Sequence, residues 1–240
     1  MKRKTKIILS ILIAVIILTL GVFLYMYMNG FTEIMEYPEY KESQIKVACV
    51  GDSVTYGHGI KNQPKNNYPS QLANLLGDEY NVRNFGISGS TTSKEGDQPY
   101  YITEAYSESL EYKADILVFM LGSNDSKPEN WRGYDVFENW YISLLDTYLK
   151  DNNPTVYLCT PPTAFHDTGR DDGLTNYDIN PEIVEEIADV IRKVAKERGY
   201  ALIDINDLTE NRSELFNKDH VHPNNDGATA IAKAVYEAIK

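Results

Sequence analysis

The chain has 240 residues, with 35 Asp and Glu against 23 Lys and Arg and a formal net charge of −12. Such an acidic balance argues against nucleic acid and anionic lipid headgroups as partners, and solubility alone is enough to account for it. The length suits one α/β domain with an ample core once an unusual N-terminus is set aside.

That N-terminus is basic at Lys2, Arg3, Lys4 and Lys6, and then carries no charge from Ile7 to Met28, with only Ser10, Thr19 and Gly21 as interruptions. A helix over this run spans about 30 Å, the thickness of a bilayer's hydrocarbon core. The basic residues ahead of the run place the N-terminus in the cytoplasm and the chain beyond Met28 outside. The run is longer than the apolar region of a cleaved signal peptide and is followed by Tyr25-Met-Tyr-Met-Asn29, not by small residues. An uncleaved single-pass signal anchor is therefore expected, with secretion after cleavage as the alternative. The expected division is residues 1–6 cytoplasmic, 7–28 transmembrane, 29–44 a polar stalk containing Pro38, and 45–240 the folded domain.

Within the domain the elements alternate. A short apolar strand at 45–50 ends in Gly51-Asp52-Ser53, and a Gly- and Asn-rich loop covers 57–67. Pro69 opens a helix to Leu76 that Gly77 closes. A second strand at 80–84 runs into the turn-rich stretch Asn84 to Thr92, and a helix is predicted over 99–112. The continuous apolar run 116–121 reads as a strand buried on both faces and stops at Gly122-Ser-Asn124-Asp125. Next come a helix at 136–150, a strand at 155–160 and a polar loop at 163–178. Asn180 then caps a helix with Pro181 at its first position, running to Arg198 before Gly199. A last strand at 201–205, a loop at 213–223 and a helix at 225–239 complete the pattern. This alternation predicts a doubly wound α/β fold, a flavodoxin-like three-layer sandwich with a five-stranded parallel sheet, preceded by one transmembrane helix. With strand order 2-1-3-4-5, Cys49 and Cys159 lie on strands separated by one other, roughly 10 Å apart. That is too far for a disulfide, so two buried free thiols are expected.

The chemistry-bearing residues sit where strands end, the edge on which ligands bind in open α/β sheets. Ser53 caps the following turn or, if a histidine reaches it, serves as a nucleophile. Four blocks recur in order: Gly51-Asp52-Ser53-Val54, Asn84-x-x-x-x-Gly89, Gly122-Ser-Asn124-Asp125 and Asp219-His-Val-His222-Pro223. In this the chain resembles the SGNH hydrolase superfamily, the GDSL esterases and lipases, from Val47 to Lys240, with Val54 in place of the family's leucine. The resemblance implies a serine esterase without cofactor or metal. Ser53 would attack the ester carbonyl, His222 would carry the proton and Asp219 would orient His222. Gly89, Asn124 and the Ser53 backbone N–H would stabilise the oxyanion, with Gly86 structural. The other α/β esterase signature, Gly-x-Ser-x-Gly, is absent at Ser53.

The expected substrate is a small-molecule or carbohydrate ester. Location beyond the membrane favours acetyl groups on envelope or external carbohydrate; acyl transfer by the same residues and lysophospholipase or lipase activity are the alternatives. His220 and His222 have no evident third partner for a metal. Asp52 and Asp125 are expected to hold loops, and His58 and His166 to be exposed surface histidines. Of Trp131, Tyr134, Trp140 and Tyr141, most read as core residues of the helix; Trp131 and Tyr134, ahead of it, have a pocket wall as the alternative, with sugar stacking one use of it.

Overall fold

The computed structural model describes residues 12, 13, 15–22, 40–167 and 169–240. Its order is β1 (Ile45–Gly51), α1 (Ser53–Tyr56), α2 (Gln63–Asn66), α3 (Tyr68–Leu76), β2 (Tyr80–Gly86), α4 (Glu104–Tyr112), β3 (Ile116–Met120), α5 (Tyr134–Leu149), β4 (Thr155–Cys159), α6 (Pro181–Arg198), β5 (Ala201–Ile203), α7 (Ile205–Thr209) and α8 (Asn225–Ile239). The strands pair in parallel as β2-β1-β3-β4-β5, the doubly wound order expected.

Strand periodicity divides the core. On β1 and β3, Ala48, Val50, Leu117 and Phe119 face Tyr141, Leu145, Ile187 and Ile191 of α5 and α6. Their neighbours Val47, Cys49, Val118 and Met120 face Leu72 of α3 and Ile231 and Val235 of α8. Each fully buried large side chain contributes about 1.5–3 kcal/mol of burial free energy, which is why the two central strands are apolar on both faces. Cys49 and Cys159 are buried free thiols on β1 and β4, with β3 between them.

Local chemistry moves several boundaries. The helix expected over 99–112 is broken at Thr103, whose side chain caps α4 by accepting the Tyr106 N–H; a single 3-10 turn, Tyr100–Ile102, precedes it. The last strand stops at Ile203 because Asp204 caps α7, its carboxylate accepting the Asp207 N–H. Asn180 and Gly199 bound α6 as expected: the Asn180 side chain accepts the Ile183 N–H and Gly199 is left-handed. Gln44, assigned to the stalk, is tied to the domain by a 2.9 Å bond from its amide to the Asp78 carbonyl.

The anchor expected at residues 7–28 lies largely outside the described residues. Those described within it are helical, with exposed apolar side chains that include Leu12, Ile13, Ile17, Leu18 and Leu20, and no described helix is long and apolar enough to cross a membrane.

Candidate active site

β1 delivers Ser53 to the rim of the sheet. Asp52 caps α1 by accepting the Val54 N–H at 2.9 Å, and Ser53 is the first residue of that helix. Burial pushes the Asp52 carboxyl up to about 6, against the Val54 N–H, His222 and Ser123, which favour its charge. Asp52 thus holds a turn, the loop-holding part expected of it.

The turn carrying Asp219 and His222 reaches Ser53 from the far end of the chain. His222 Nε2 stands 2.9 Å from Ser53 Oγ, and its Nδ1 stands 3.0 Å from Asp219 Oδ2. The other Asp219 oxygen accepts the backbone N–H groups of Val221 and His222 at 3.0 and 2.9 Å. Burial alone would raise the Asp219 carboxyl; the hydrogen bond and charge of His222 and those two N–H groups outweigh it and hold it below its ordinary value. An ionised Asp219 is an acceptor only, so His222 carries its hydrogen on Nδ1 and turns the Nε2 lone pair towards the Ser53 hydroxyl. A row of this kind can take the hydroxyl proton as the oxygen attacks a carbonyl.

The loop after β2 is fitted against α1. An added Cβ at Gly86 would lie 2.2 Å from the Tyr56 backbone nitrogen, so only glycine permits this approach. Asn84, which opens the same block, donates from its side-chain amide to the Thr55 carbonyl at 2.7 Å and accepts the Gly86 N–H at 2.9 Å. Three residues on, Gly89 has φ +84°, where an L side chain is strained, and a Cβ would meet Gln98 Oε1 at 2.7 Å. Asn124, on the 3-10 turn Ser123–Ser126 after β3, donates one amide hydrogen to the Ser90 carbonyl at 3.1 Å and carries a second. Asp125 fastens the two loops together, accepting the Thr92 hydroxyl at 2.7 Å and the N–H groups of Thr92 and Ser93 at 3.0 and 3.2 Å. Burial pushes its carboxyl up to about 7 despite these donors.

Ser53, Gly89, Asn124 and His222 line one cavity of about 230 Å³, and Asp219 stands behind the His222 ring. The five residues singled out in the sequence are therefore brought to one place. A larger groove of about 800 Å³ runs beside β2, past Tyr112 and Arg83, and none of the five lines it.

One expectation is corrected here and one alternative falls. His58 is not an isolated surface histidine. It lines the cavity, with its ring centroid 4.5 Å from that of His222 and its Nε2 3.3 Å from the Tyr177 hydroxyl. Its position follows from the turn that ends α1, where the His58 N–H bonds back to the Ser53 carbonyl at 2.9 Å. Trp131 and Tyr134 do not line this cavity. Trp131 packs on Phe137, and Tyr134 is the first residue of α5. The aromatic at the cavity is Tyr177, which no period or motif in its polar loop marked. His166 is exposed, paired with Glu182, as a surface histidine should be.

A family model described as GDSL-like lipase/acylhydrolase matches residues 49–230, the span that holds every residue of this site. The chain belongs to that family. It is 35% identical over 222 residues to an acetylxylan esterase of Xylanibacter ruminicola, covering 85% of this chain and 45% of that protein, so the chain spans less than half of that relative's length. Among solved structures, a carbohydrate acetylesterase from Sinorhizobium meliloti superposes with a TM-score of 0.66 at 18% identity, over 82% of this chain and 98% of the other. The aryl esterase of M. smegmatis gives 0.64 at 19% identity, over 81% and 98%. At such identities the structural likenesses establish the α/β fold.

Proposed function

We propose that this GDSL-family protein is a serine esterase that removes short acyl groups, above all acetyl, from carbohydrate. The observation that carries the reading is the hydrogen-bonded row Ser53–His222–Asp219. Ser53 Oγ forms the bond to the acyl carbon while His222 Nε2 takes its proton. Two backbone N–H groups, those of Ser53 and Gly89, and the second amide hydrogen of Asn124 receive the negative oxygen. Collapse breaks the bond to the alcohol oxygen, which leaves with the proton from His222. Water then repeats the sequence on the acyl-enzyme, releasing the acid and restoring Ser53. Asp219 fixes the His222 tautomer and balances the transient imidazolium.

The acetylxylan specificity in the name of a 35% identical relative supports a carbohydrate acetyl ester as substrate. A cavity of about 230 Å³ suits a short acyl group better than a long chain. We further propose that residues 7–28 anchor the protein in the membrane with the catalytic domain outside, supported by the four basic residues ahead of the uncharged run.

The test compares the full-length protein with Ser53→Ala on p-nitrophenyl acetate, butyrate and octanoate. The expected result is hydrolysis that is fastest on acetate and falls to background in the variant. Equal rates in the two proteins would overturn the nucleophile. Fastest turnover of octanoate would replace the deacetylase with a lipase.

A further inference from the structure

The position of the base fixes where the two halves of an ester lie, given the reading of Ser53 and His222 as nucleophile and base. The alcohol oxygen must receive its proton from His222 Nε2, so it departs on the His222 side of Ser53. The oxyanion points the other way, towards Gly89 and Asn124. Whatever packs beside the His222 ring at the cavity therefore borders the alcohol.

Two side chains do so. His58 lies with its ring 4.5 Å from the His222 ring at 47°, and Tyr177 meets the same ring edge-on at 4.8 Å and 87°. They are joined to each other at 3.3 Å through His58 Nε2 and the Tyr177 hydroxyl. Both line the cavity, and Tyr177 is 43% exposed, so it stands at the mouth.

Neither is loosely held. The His58 N–H is bonded to the Ser53 carbonyl. Tyr177 sits in a turn built around buried Thr175, whose hydroxyl accepts the N–H groups of Tyr177 and Ile179 at 3.3 and 3.1 Å. Arg170 closes that turn by pairing with Asp172 and Asp178 and donating to the Thr175 carbonyl at 2.9 Å.

We propose that His58 and Tyr177 form the alcohol-side subsite and select a sugar as the leaving group. A phenol at the mouth offers an apolar face to a pyranose ring and a hydroxyl to its oxygens. His222, Asp219 and Tyr177 are among the groups that face His58. Burial and then His222 lower the His58 pKa, opposed by Asp219, so its imidazole is neutral and holds the Tyr177 hydroxyl through Nε2. Burial, then Asp219, raises the Tyr177 pKa and keeps its hydroxyl protonated.

The experiment varies one side of the ester at a time, in full-length wild type, Tyr177→Phe, Tyr177→Ala and His58→Ala. With acetyl fixed, kcat/KM is measured on tetra-O-acetyl-xylose and on p-nitrophenyl acetate. The ratio of the two is expected to fall about fivefold in Tyr177→Phe, which loses one neutral hydrogen bond. It should fall more than about tenfold in Tyr177→Ala, which loses the platform as well. With p-nitrophenol fixed, the ranking of acetate, butyrate and octanoate is expected to stay the same. An unchanged sugar-to-aryl ratio, with both rates falling together, would overturn the proposal and leave the pair as supports of the His222 ring. A shifted acyl ranking would overturn it by placing the pair on the acyl side.

Wild type that cleaves the aryl ester but not the sugar acetate would remove carbohydrate from the proposed function and sugar from this subsite. The variants would then be compared on phenyl, benzyl and ethyl acetates, where an unchanged preference would overturn the alcohol-side assignment itself.

Discussion

At the level of single residues the proposed reading divides the site into groups that react and groups that hold them. Asn124 is the clearest test of the oxyanion reading, because it lines the cavity and already commits one hydrogen to Ser90. Asn124→Ala is expected to lower kcat by about 10²–10³ with a smaller change in KM, the usual effect of losing one preorganised donor. Steady-state kinetics on p-nitrophenyl acetate measures it, and a loss confined to KM would remove Asn124 from the oxyanion hole. The residues that converge on the cavity were legible in the sequence because each stands in a short block that contains glycine or proline. His58 was not. It lies five positions after Ser53, but nothing in a residue's type shows that a left-handed turn at Gly57 brings the next side chain beside the His222 ring. Tyr177 was hidden for a similar reason: its place depends on Thr175 and Arg170, which act through space.

Among elements, legibility follows length and burial. The central strands were readable because apolar runs buried on both faces must end where the chain turns. α2 and α7 were not, because helices of four and five residues carry no period and depend on their caps. Trp131 was ambiguous for the same cause, since sequence distance from a motif does not reveal packing on Phe137.

The Asp125 tie between the loops after β2 and β3 has a measurable signature. Its folded pKa of about 7 lies above the ordinary 3.8, so between roughly pH 4 and 7 the native state binds the extra proton. Stability contributed by this group is therefore present below pH 4 and is lost as the pH rises to 7. Asp125→Asn, with one acceptor oxygen where three donors converge, is expected to be less stable throughout that range. Its stability should also fall less steeply from pH 4 to 7. Urea unfolding at several pH values checks this, and a slope equal to that of wild type would contradict it.

Over the whole molecule, the two thiols report on the sheet. Burial pushes Cys49 up to about 12 and Cys159 further, so neither is a thiolate at neutral pH. A thiol reagent added without reductant is expected to modify neither cysteine in the folded protein and both on unfolding. Finding no free thiol in the unfolded chain would mean a disulfide, which the intervening β3 forbids in this fold.

The His222 turn also sets the order in which a working protein can arise. Ser53 and His222 are 169 residues apart, and the turn bearing His222 leads directly into α8. That helix is pinned to the segment after the nucleophile: the Asn225 side chain accepts the Lys61 N–H at 3.0 Å, and the Thr229 hydroxyl donates to Gln71 at 2.8 Å. On the proposed reading, a chain emerging from the ribosome thus carries Ser53 early and hydrolyses no ester until α8 docks. During refolding, helical signal should return before ester hydrolysis, and the lag between them times the seating of α8.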